Sequence, residues 1–389
     1  MQKIYIDITS VLQVDFVTGI QRVVKNVLLE MYKIIPEKIV LINFNAKKNN
    51  YEKINVSQFI NYSDGKNINV KDVFKNCENI EIGENMCGDI FFDIDSVWNS
   101  EYKRSVLLPI LKGYGVKLAV YIYDIIPVTD SKYCHADTIF NFLNYLGAYL
   151  QYADVIIAST QSTINEIYNL MDYLKLERIP AYVSWLGSDF KRKNKQEYNI
   201  LDEVLEASER KFILSVGTIE PRKNHAYLLD AFDQGLYSDD LNLVFVGRIG
   251  WNVEQVIQRI KNHPMYGKQL FYFKGLDDDN VGYLYKKAFV VGFPTFNEGF
   301  GLPIVEALER GAPVMATDRA VLKEVGGEYC RYFDPTCPKQ FIEKVRFYLK
   351  NGIEYEKWKH KIENYIPFTW KETSNKIIEA LDTLIVSDK

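Results

Sequence analysis

The chain has 389 residues, of which 47% are hydrophobic and 25% charged, and its formal net charge is -4. At roughly 100–200 residues per domain, this length predicts two domains rather than one. A core of that size needs no disulfide bonds. The slightly acidic balance excludes a nucleic-acid-binding protein that depends on overall positive charge, so we expect no nucleic-acid partner.

The five cysteines are odd in number and show no zinc-site spacing, which predicts reduced thiols in a cytoplasmic protein. The first residues lack the charged and apolar regions of a signal peptide. No run of about 18 apolar residues predicts a membrane-spanning helix.

Short apolar segments alternate with helix-sized amphipathic segments along the chain. The first series of predicted strands covers residues 3–8, 38–45, 89–94, 117–124, 154–159 and 180–185, with a helix over 18–35. The second series covers residues 211–218, 242–247, 270–275, 288–294 and 312–317. Such alternation predicts an α/β fold with parallel sheets covered on both faces. Two doubly wound domains are therefore expected, joined by the charged stretch 191–209, while the polar segment 46–86 stays unassigned.

Ligands of doubly wound sheets bind at the carboxyl ends of the strands, so the loops at those ends are the first candidates for a binding site. One of them, "VGTIEPRKN" at 216–224, brings Arg222 and Lys223 to a strand-to-helix turn. A helix N-terminus attracts anions. An arginine fork beside a lysine charge suits a diphosphate. The alternative is a solvated basic turn.

A second loop, "FNEGFGLPIVEALERG" at 296–311, combines glycines with the start of a helix. Gly299 and Gly301 allow the backbone to approach a ligand closely. Pro303 suits the first helical position, and Gly311 suits the position just past the helix end.

The same stretch contains two carboxylates, and each raises a separate question. Glu306 falls in the first turns of the helix, where it either accepts hydrogen bonds from ligand hydroxyls or is a surface glutamate favoured by the helix dipole. Glu298 lies in the loop, where helix stability gives no reason for its presence.

These motifs together resemble the retaining glycosyltransferases of family 4, most strongly between residues 212 and 327. "PRKN" at 221–224 and the Glu298/Glu306 pair within "EGFGLPIVEAL" carry the resemblance. "TGIQRVVKNVL" and "YDIIPV" in the first half resemble the glycine loop and strand end of bacterial mannosyl- and rhamnosyltransferases that build surface polysaccharides.

The resemblance implies the GT-B fold, in which two Rossmann-like doubly wound domains face each other across a cleft. Residues 1–190 would form the acceptor-side domain, completed by a C-terminal helix over 370–389. Residues 191–369 would form the domain that binds the nucleotide sugar.

The resemblance also implies roles for single residues. Arg222 and Lys223 would bind the donor diphosphate, Glu306 the ribose hydroxyls, and Glu298 the donor sugar. Gly19 would let the first-domain loop approach the phosphates, or is a simple turn. Gly275 and Leu276 would flank the base, or Gly275 is merely a strand end. The donor-binding set comprises Gly19, Gly217, Thr218, Gly275, Leu276, Gly299, Phe300, Gly301, Leu302 and Glu306.

One residue departs from the family pattern, because Asp124 stands where many relatives have histidine. Asp124 either binds an acceptor hydroxyl or the donor sugar, or caps the turn at Ile125 and Ile126. Arg22 is either an acceptor or phosphate contact or a solvated helix residue. Asp95 and Trp98 are further candidates to face the acceptor.

"FFDIDSVWN" at 91–99 contains Asp93 and Asp95, which imitate the metal-binding Asp-x-Asp of the other large glycosyltransferase fold. They fall in a domain that otherwise resembles GT-B, and the four histidines are dispersed. We therefore expect no metal, and no cofactor, since the nucleotide sugar is a substrate.

The resulting hypothesis is transfer of a hexose from a nucleotide diphosphate sugar to a glycan hydroxyl, with retention, in bacterial surface polysaccharide synthesis. GDP-mannose is the favoured donor, ahead of dTDP-rhamnose or a UDP-hexose. A lipid-linked acceptor implies a cytoplasmic protein with peripheral contact at the inner membrane. The alternatives are a nucleotide-sugar epimerase of GT-B fold and a non-catalytic partner subunit that binds nucleotide sugars.

Overall fold

The computed structural model describes residues 2–13, 19–63, 73, 77–188 and 199–386. The chain divides into two compact units. Unit 1 consists of Met1–Gly187 and Phe368–Lys389, and unit 2 of Ser188–Pro367. The predicted domain boundary after residue 190 falls among residues 189–198, outside the described ranges, and so does the first part of the charged stretch 191–209 that was expected to join the domains.

In the described part of unit 1, eight strands form one sheet in the order β4-β3-β2-β1-β5-β6-β7-β8. β1, β2 and β5 to β8 pair in parallel, whereas β3 pairs antiparallel with both β2 and β4. The antiparallel pair lies in the polar segment that the sequence left unassigned. The strands are β1 Ile4–Asp7, β2 Ile39–Asn45, β3 Asn50–Ile54, β4 Glu78–Ile80, β5 Ile90–Asp93, β6 Lys117–Ile122, β7 Val155–Ala158 and β8 Ala181–Val183.

In residues 199–367 of unit 2, six strands form a parallel sheet in the order β11-β10-β9-β12-β13-β14. They are β9 Phe212–Val216, β10 Asn242–Val246, β11 Leu270–Phe273, β12 Val290–Phe293, β13 Val314–Thr317 and β14 Cys330–Phe333. β14 was not predicted, because it is a short edge strand with two half-buried residues. The two sheets confirm the predicted α/β class with two Rossmann-like domains.

Helices connect the strands and cover the sheets. In the described residues, those of unit 1 are α1 Thr9–Gln13, α2 Gly19–Ile34, α3 Val56–Ser63, α4 Arg104–Gly113, α5 Ile126–Thr129, α6 Ala136–Tyr152 and α7 Gln161–Tyr173. Those of unit 2 are α8 Asp202–Ala207, α9 His225–Asp233, α10 Glu254–Lys261, α11 Asp278–Lys287, α12 Leu302–Glu309, α13 Ala320–Gly326, α14 Pro338–Lys350 and α15 Gly352–Ile362. None of the helices in the described ranges has both the length and the apolar character needed to cross a membrane.

The last helix, α16 over Trp370–Val386, returns to unit 1 and packs against α2. Ser374 Oγ donates to Val27 O at 3.2 Å, and Thr373 Oγ1 donates to Trp185 O at 2.8 Å. Both side chains are fully buried. These hydrogen bonds replace the water that the two hydroxyl groups lose on burial, and they fix the register of α16 on unit 1.

A buried charge network joins β1, β5 and α4 in unit 1. Arg104 donates through Nε to Asp93 Oδ2 at 2.5 Å and through Nη2 to Asp93 Oδ1 at 2.8 Å and Asp7 Oδ2 at 2.7 Å. The hydroxyls of Tyr149 and Tyr51 donate to Asp93 at 2.5 Å and to Asp7 at 3.0 Å. The side chains of Arg104 and both aspartates are at most 1% exposed. The guanidinium and the tyrosine hydroxyls thus compensate each carboxylate for the water that it loses on burial, as a buried charge requires.

We predict that Arg104→Met destabilises unit 1 by roughly 3–5 kcal/mol, because it leaves two buried carboxylates without their cation. Hydrogen exchange of the β1 and β5 amides measures this loss within unit 1. The matched control is Arg178→Met, which removes an exposed ion pair to Asp172 with side chains 55% and 50% exposed. The control should leave the stability of unit 1 close to that of the wild type, because exposed ion pairs contribute little. Equal exchange in both variants would contradict the prediction.

Candidate functional site

The strand order of unit 2 reverses at β9, which lies between β10 and β12. Ligands of doubly wound sheets bind at the carboxyl ends of the strands beside such a reversal. The loops after β9 and β12 contain Arg222, Lys223 and Glu298. The topology therefore brings to one edge of the sheet the residues assigned from the sequence to the diphosphate and the donor sugar.

The loop after β9 ends in a 3₁₀ turn over Pro221–Lys223, and Asn224 closes this turn. Asn224 adopts the left-handed conformation, with φ 55° and ψ 42°, which asparagine tolerates better than most residues. Its Nδ2 donates to Pro294 O at 3.2 Å and to Pro335 O at 3.1 Å. One side-chain amide thus fixes the basic turn to the loops that follow β12 and β14.

Glu298 contacts both basic side chains of this turn. Its Oε1 accepts from Lys223 Nζ at 2.5 Å and lies 3.0 Å from Arg222 Nη1. The Thr295 hydroxyl donates to the same oxygen at 2.9 Å. Arg222, Lys223 and Glu298 therefore form one cluster, whereas Asp124, the other candidate for contact with the donor sugar, belongs to unit 1.

Arg222 has a second carboxylate partner that the sequence analysis missed. Its Nη2 donates to Glu220 Oε1 at 2.8 Å, while Nη1 donates to Asn297 O at 2.5 Å. Glu220 directly precedes the "PRKN" motif, so its proximity to Arg222 in the sequence was the available signal. The cluster of Arg222, Lys223, Glu220 and Glu298 contains two cations and two carboxylates.

The ionisation of Glu298 follows from its partners. Burial disfavours the charged form, but the charges of Arg222 and Lys223 and their hydrogen bonds outweigh burial and lower the pKa of Glu298 to about 2. The side chain is 8% exposed. Glu298 is therefore a carboxylate at physiological pH, held in place by ion pairs that solvent screens poorly.

The helix after the glycine loop begins at Leu302, one residue before Pro303, so the proline occupies the second helical position rather than the predicted first. Gly301 before the helix has φ 96°, and Gly311 after it has φ 75°. Both values lie in the region that glycine tolerates best. The side chain of Phe300 is 4% exposed, so a ligand at this loop would meet the backbone around Gly299.

Glu306 lies on the second turn of α12 and is 9% exposed. Its Oε2 accepts from the Tyr285 hydroxyl at 3.1 Å, and its backbone carbonyl accepts from Arg310 Nη1 at 3.1 Å. A buried carboxylate with a tyrosine partner does not fit the surface-glutamate alternative. Its role as a ligand for ribose hydroxyls stays a prediction.

The glycines that follow the neighbouring strands pack against one another. Gly217 and Thr218 follow β9, and Gly247 follows β10. A Cβ added at Gly247 would lie 1.9 Å from Gly217 O, so only glycine fits there. Gly275 follows β11 with φ 83°, and Leu276 packs against the core of unit 2.

His225 starts α9 directly after the basic turn and is 4% exposed. Burial, with the nearby charge of Lys223, lowers the pKa of His225 to about 3. Its ring lies edge-on to Phe245 with the centroids 5.4 Å apart. A neutral, buried imidazole fits a structural role for His225.

The predicted residue Asp124 follows β6 in unit 1, and its Oδ1 accepts from Ile126 N at 3.0 Å. This is the geometry of the turn-capping alternative. On α7, burial and the charges of Asp124 and Asp130 raise the pKa of Glu166 to about 7. Glu166 was not predicted, because it sits in the interior of a helix without any motif.

Gly19 and Arg22 lie in the first turn of α2, whereas Thr18, the first residue of the predicted glycine-loop motif, falls outside the described ranges. Arg22 is half-buried, and its carbonyl accepts from Asn26 Nδ2 at 2.8 Å. Their contact with phosphate or acceptor stays a prediction.

Asp95 is 1% exposed, and its carboxylate accepts from Val11 N at 2.6 Å and Ser96 N at 2.7 Å. Burial raises the pKa of Asp95 to about 7 in spite of these hydrogen bonds. Trp98 packs against two aromatic rings of α6, at centroid distances of 5.5 and 5.9 Å. Both placements fit structural roles, and contact with an acceptor stays a prediction.

Metal ligation finds no support among the described residues. No group of three or more His, Cys, Asp or Glu side chains there is arranged to hold a metal ion. Of the Asp-x-Asp pair, Asp93 accepts from Arg104 through both carboxylate oxygens. A cation at Asp93 would have to displace this guanidinium.

We predict that Asn224→Ala destabilises unit 2 by about 2–4 kcal/mol, because it removes two hydrogen bonds and leaves a less tolerant residue at positive φ. Asn224→Gly loses the hydrogen bonds but suits the conformation, so its loss should be about 1 kcal/mol smaller. Hydrogen exchange of the β9 and β12 amides measures both. Wild-type exchange in Asn224→Ala would contradict this account of the turn.

Comparison with known proteins finds a family model that matches the part of the chain containing this site. Residues 197–365 match the family model of glycosyl transferases group 1. The chain is 25% identical over its full length to the serotype-specific mannosyltransferase WbdA of Escherichia coli, of which it covers 46%. It is also 25% identical to the O-antigen chain mannosyltransferase B of Escherichia coli, over 67% of this chain and 69% of that protein. The chain thus spans less than half the length of WbdA.

Solved structures agree with the fold. The Anabaena protein Alr3699/HepE in complex with UDP-glucose is 13% identical and superposes with a TM-score of 0.68 over 98% of this chain and 100% of that chain. Sucrose-phosphate synthase from Thermosynechococcus elongatus is 14% identical, with a TM-score of 0.66 over 100% of both chains.

These likenesses confirm the GT-B class of fold, and every predicted site residue of unit 2 lies within residues 197–365. Residues 197–365 match the glycosyl transferases group 1 model, and the chain is similar to mannosyltransferases of Escherichia coli, one of them named for the O-antigen chain.

Proposed function

We propose that this protein is a retaining glycosyltransferase that moves a hexose from a nucleotide diphosphate sugar to a glycan hydroxyl in bacterial surface polysaccharide synthesis. The observation that carries this proposal is the cluster of Arg222, Lys223 and Glu298 at the strand reversal of unit 2. Two cations beside a glycine loop and a helix N-terminus suit a diphosphate.

Mannose is the sugar we favour. Two relatives with similarity across most of this chain are named as mannosyltransferases, one of them for the O-antigen chain. A third relative, similar over 38% of this chain, is also named an O-antigen chain mannosyltransferase. GDP-mannose is accordingly the proposed donor, with dTDP-rhamnose or a UDP-hexose as the next candidates. We propose a lipid-linked glycan as acceptor, which would bring the protein to the inner face of the cell membrane.

The mechanism we propose is mainly electrostatic. As the glycosidic bond breaks, negative charge grows on the departing diphosphate, and Arg222 and Lys223 stabilise it. The N–H groups of the glycine loop at the start of α12 add partial positive charge. Glu306 would accept hydrogen bonds from the ribose hydroxyls. With retention, the departing phosphate oxygen would take the proton of the attacking acceptor hydroxyl.

The decisive experiment incubates the protein with a panel of nucleotide sugars and measures release of nucleoside diphosphate with and without a glycan acceptor. Acceptor-dependent release from GDP-mannose is the expected result. Conversion of the donor to its epimer would instead favour the epimerase alternative. Binding without any release would favour a non-catalytic partner subunit.

We predict that Lys223→Ala lowers turnover by roughly 10²–10³, since it removes one preorganised electrostatic contact to the leaving group. The matched control is Lys261→Ala, which removes an exposed lysine at the end of α10. The control should turn over like the wild type. Unchanged turnover of folded Lys223→Ala at saturating donor would refute the assignment.

We also predict that activity survives exhaustive chelation with EDTA, and that manganese or magnesium does not raise it severalfold. The leaving group would be stabilised by protein cations and a helix N-terminus instead of a divalent ion. Loss of activity on chelation, with recovery in manganese, would overturn the metal-independent mechanism.

A further inference from the structure

The two cations proposed for the diphosphate already hold an anion of the protein itself. A single oxygen, Glu298 Oε1, lies within 3.0 Å of Lys223 Nζ, Arg222 Nη1 and the Thr295 hydroxyl. Charge-assisted hydrogen bonds of this kind are the strong ones in proteins. A diphosphate would need the same Lys223 and Arg222 groups.

The charges within the cluster sum to zero. Arg222 and Lys223 contribute two positive charges, and Glu220 and Glu298 two negative charges. The local charge seen by an incoming diphosphate is therefore lower than the "PRKN" motif alone suggests. A carboxylate that stays ionised competes with the phosphates for the same donors.

The two carboxylates differ in how they hold Arg222. Glu220 binds Nη2, whereas Glu298 lies against Nη1. Glu220 can therefore keep the guanidinium oriented while Nη1 changes its partner. Lys223 Nζ also lies 5.3 Å from the centroid of the Phe293 ring, a contact that does not depend on Glu298. Both cations thus have a second contact that would persist through an exchange.

We propose that Glu298 is the resident counter-anion of the diphosphate site. In the free protein, Glu298 forms ion pairs with Arg222 and Lys223. These ion pairs break when the donor diphosphate binds the two cations, and they form again as the nucleoside diphosphate leaves. Glu298 thereby weakens binding of the product and promotes its release. This inference rests on the proposed function of the site.

The test compares binding of inorganic pyrophosphate by calorimetry in the wild type and in Glu298→Gln. The amide keeps the shape and an oxygen acceptor but removes the charge, so the cluster gains one positive unit. We expect pyrophosphate to bind about tenfold more tightly or better. The inhibition constant of the nucleoside diphosphate in turnover should fall by a similar factor. Unchanged or weaker pyrophosphate binding would overturn the proposal.

Glu306→Gln is the matched control, because it alters the other carboxylate of the same motif. Glu306 contacts the Tyr285 hydroxyl. We expect unchanged pyrophosphate affinity and severalfold weaker binding of the nucleoside diphosphate. Should Glu298→Gln fail to fold, Glu298→Asp keeps the charge but shortens the side chain by one methylene, which withdraws the carboxylate from Lys223 and Arg222. This variant must then bind pyrophosphate more tightly than the wild type.

Failure of this inference is distinguishable from failure of the proposed function. Tighter pyrophosphate binding by Glu298→Gln, without turnover of any nucleotide sugar by the wild type, would refute the transferase and retain the counter-anion. Normal turnover by the wild type, with unchanged pyrophosphate affinity in the variant, would refute the counter-anion alone.

Discussion

The ion pairs of Glu298 with Arg222 and Lys223 join two loops that lie 75 residues apart in the sequence. The rest of the site depends on this contact, because it sets the distance between the basic turn and the glycine loop. Adjacency of β9 and β12 makes the contact available, and Asn224 fixes the backbone from which both cations extend. A parallel sheet alone would bring the loops to the same edge without fixing their side chains.

Unit 1 also contains a cluster of paired charges, but that cluster is more deeply buried than the one in unit 2. Arg104 and its two aspartates are at most 1% exposed, so their attraction must offset nearly complete desolvation. Arg222, Lys223 and Glu298 are 8% to 19% exposed, which leaves them within reach of a ligand. The first cluster ties strands to a helix, whereas the second presents charge at a strand edge.

Much of the fold was predictable from the sequence because the central strands are continuous apolar runs. β3, β4 and β14 were not predictable, since polar or charged residues interrupt the apolar pattern in each of them. In the site, Arg222, Lys223, Glu298 and Glu306 stood out because glycines and strand ends surround them. The structure shows that the first three meet, while their contacts with a donor stay predictions.

Other contacts in the two clusters join residues that are distant in the sequence, so no local sequence pattern could predict them. Nothing in "FFDIDSVWN" indicates that Arg104 would donate hydrogen bonds to the Asp93 carboxylate, because this pairing depends on how α4 packs on the sheet. The close approach of Gly247 to Gly217 O joins two separate loops in the same way. Glu220 adjoins the basic motif in the sequence, so it was the easiest of these residues to predict. Its hydrogen bond to Arg222 nevertheless requires the 3₁₀ turn.

The return of α16 to unit 1 has a consequence for the order of synthesis. Ser374 and Thr373 fill buried positions beside residues made hundreds of codons earlier. On the ribosome, all of unit 2 emerges before these residues do, and domains fold as units during translation. The second unit can therefore complete its sheet first, while the α2 surface of the first waits uncovered for the last helix. That face of α2 stays accessible to chaperones until the last helix has been made.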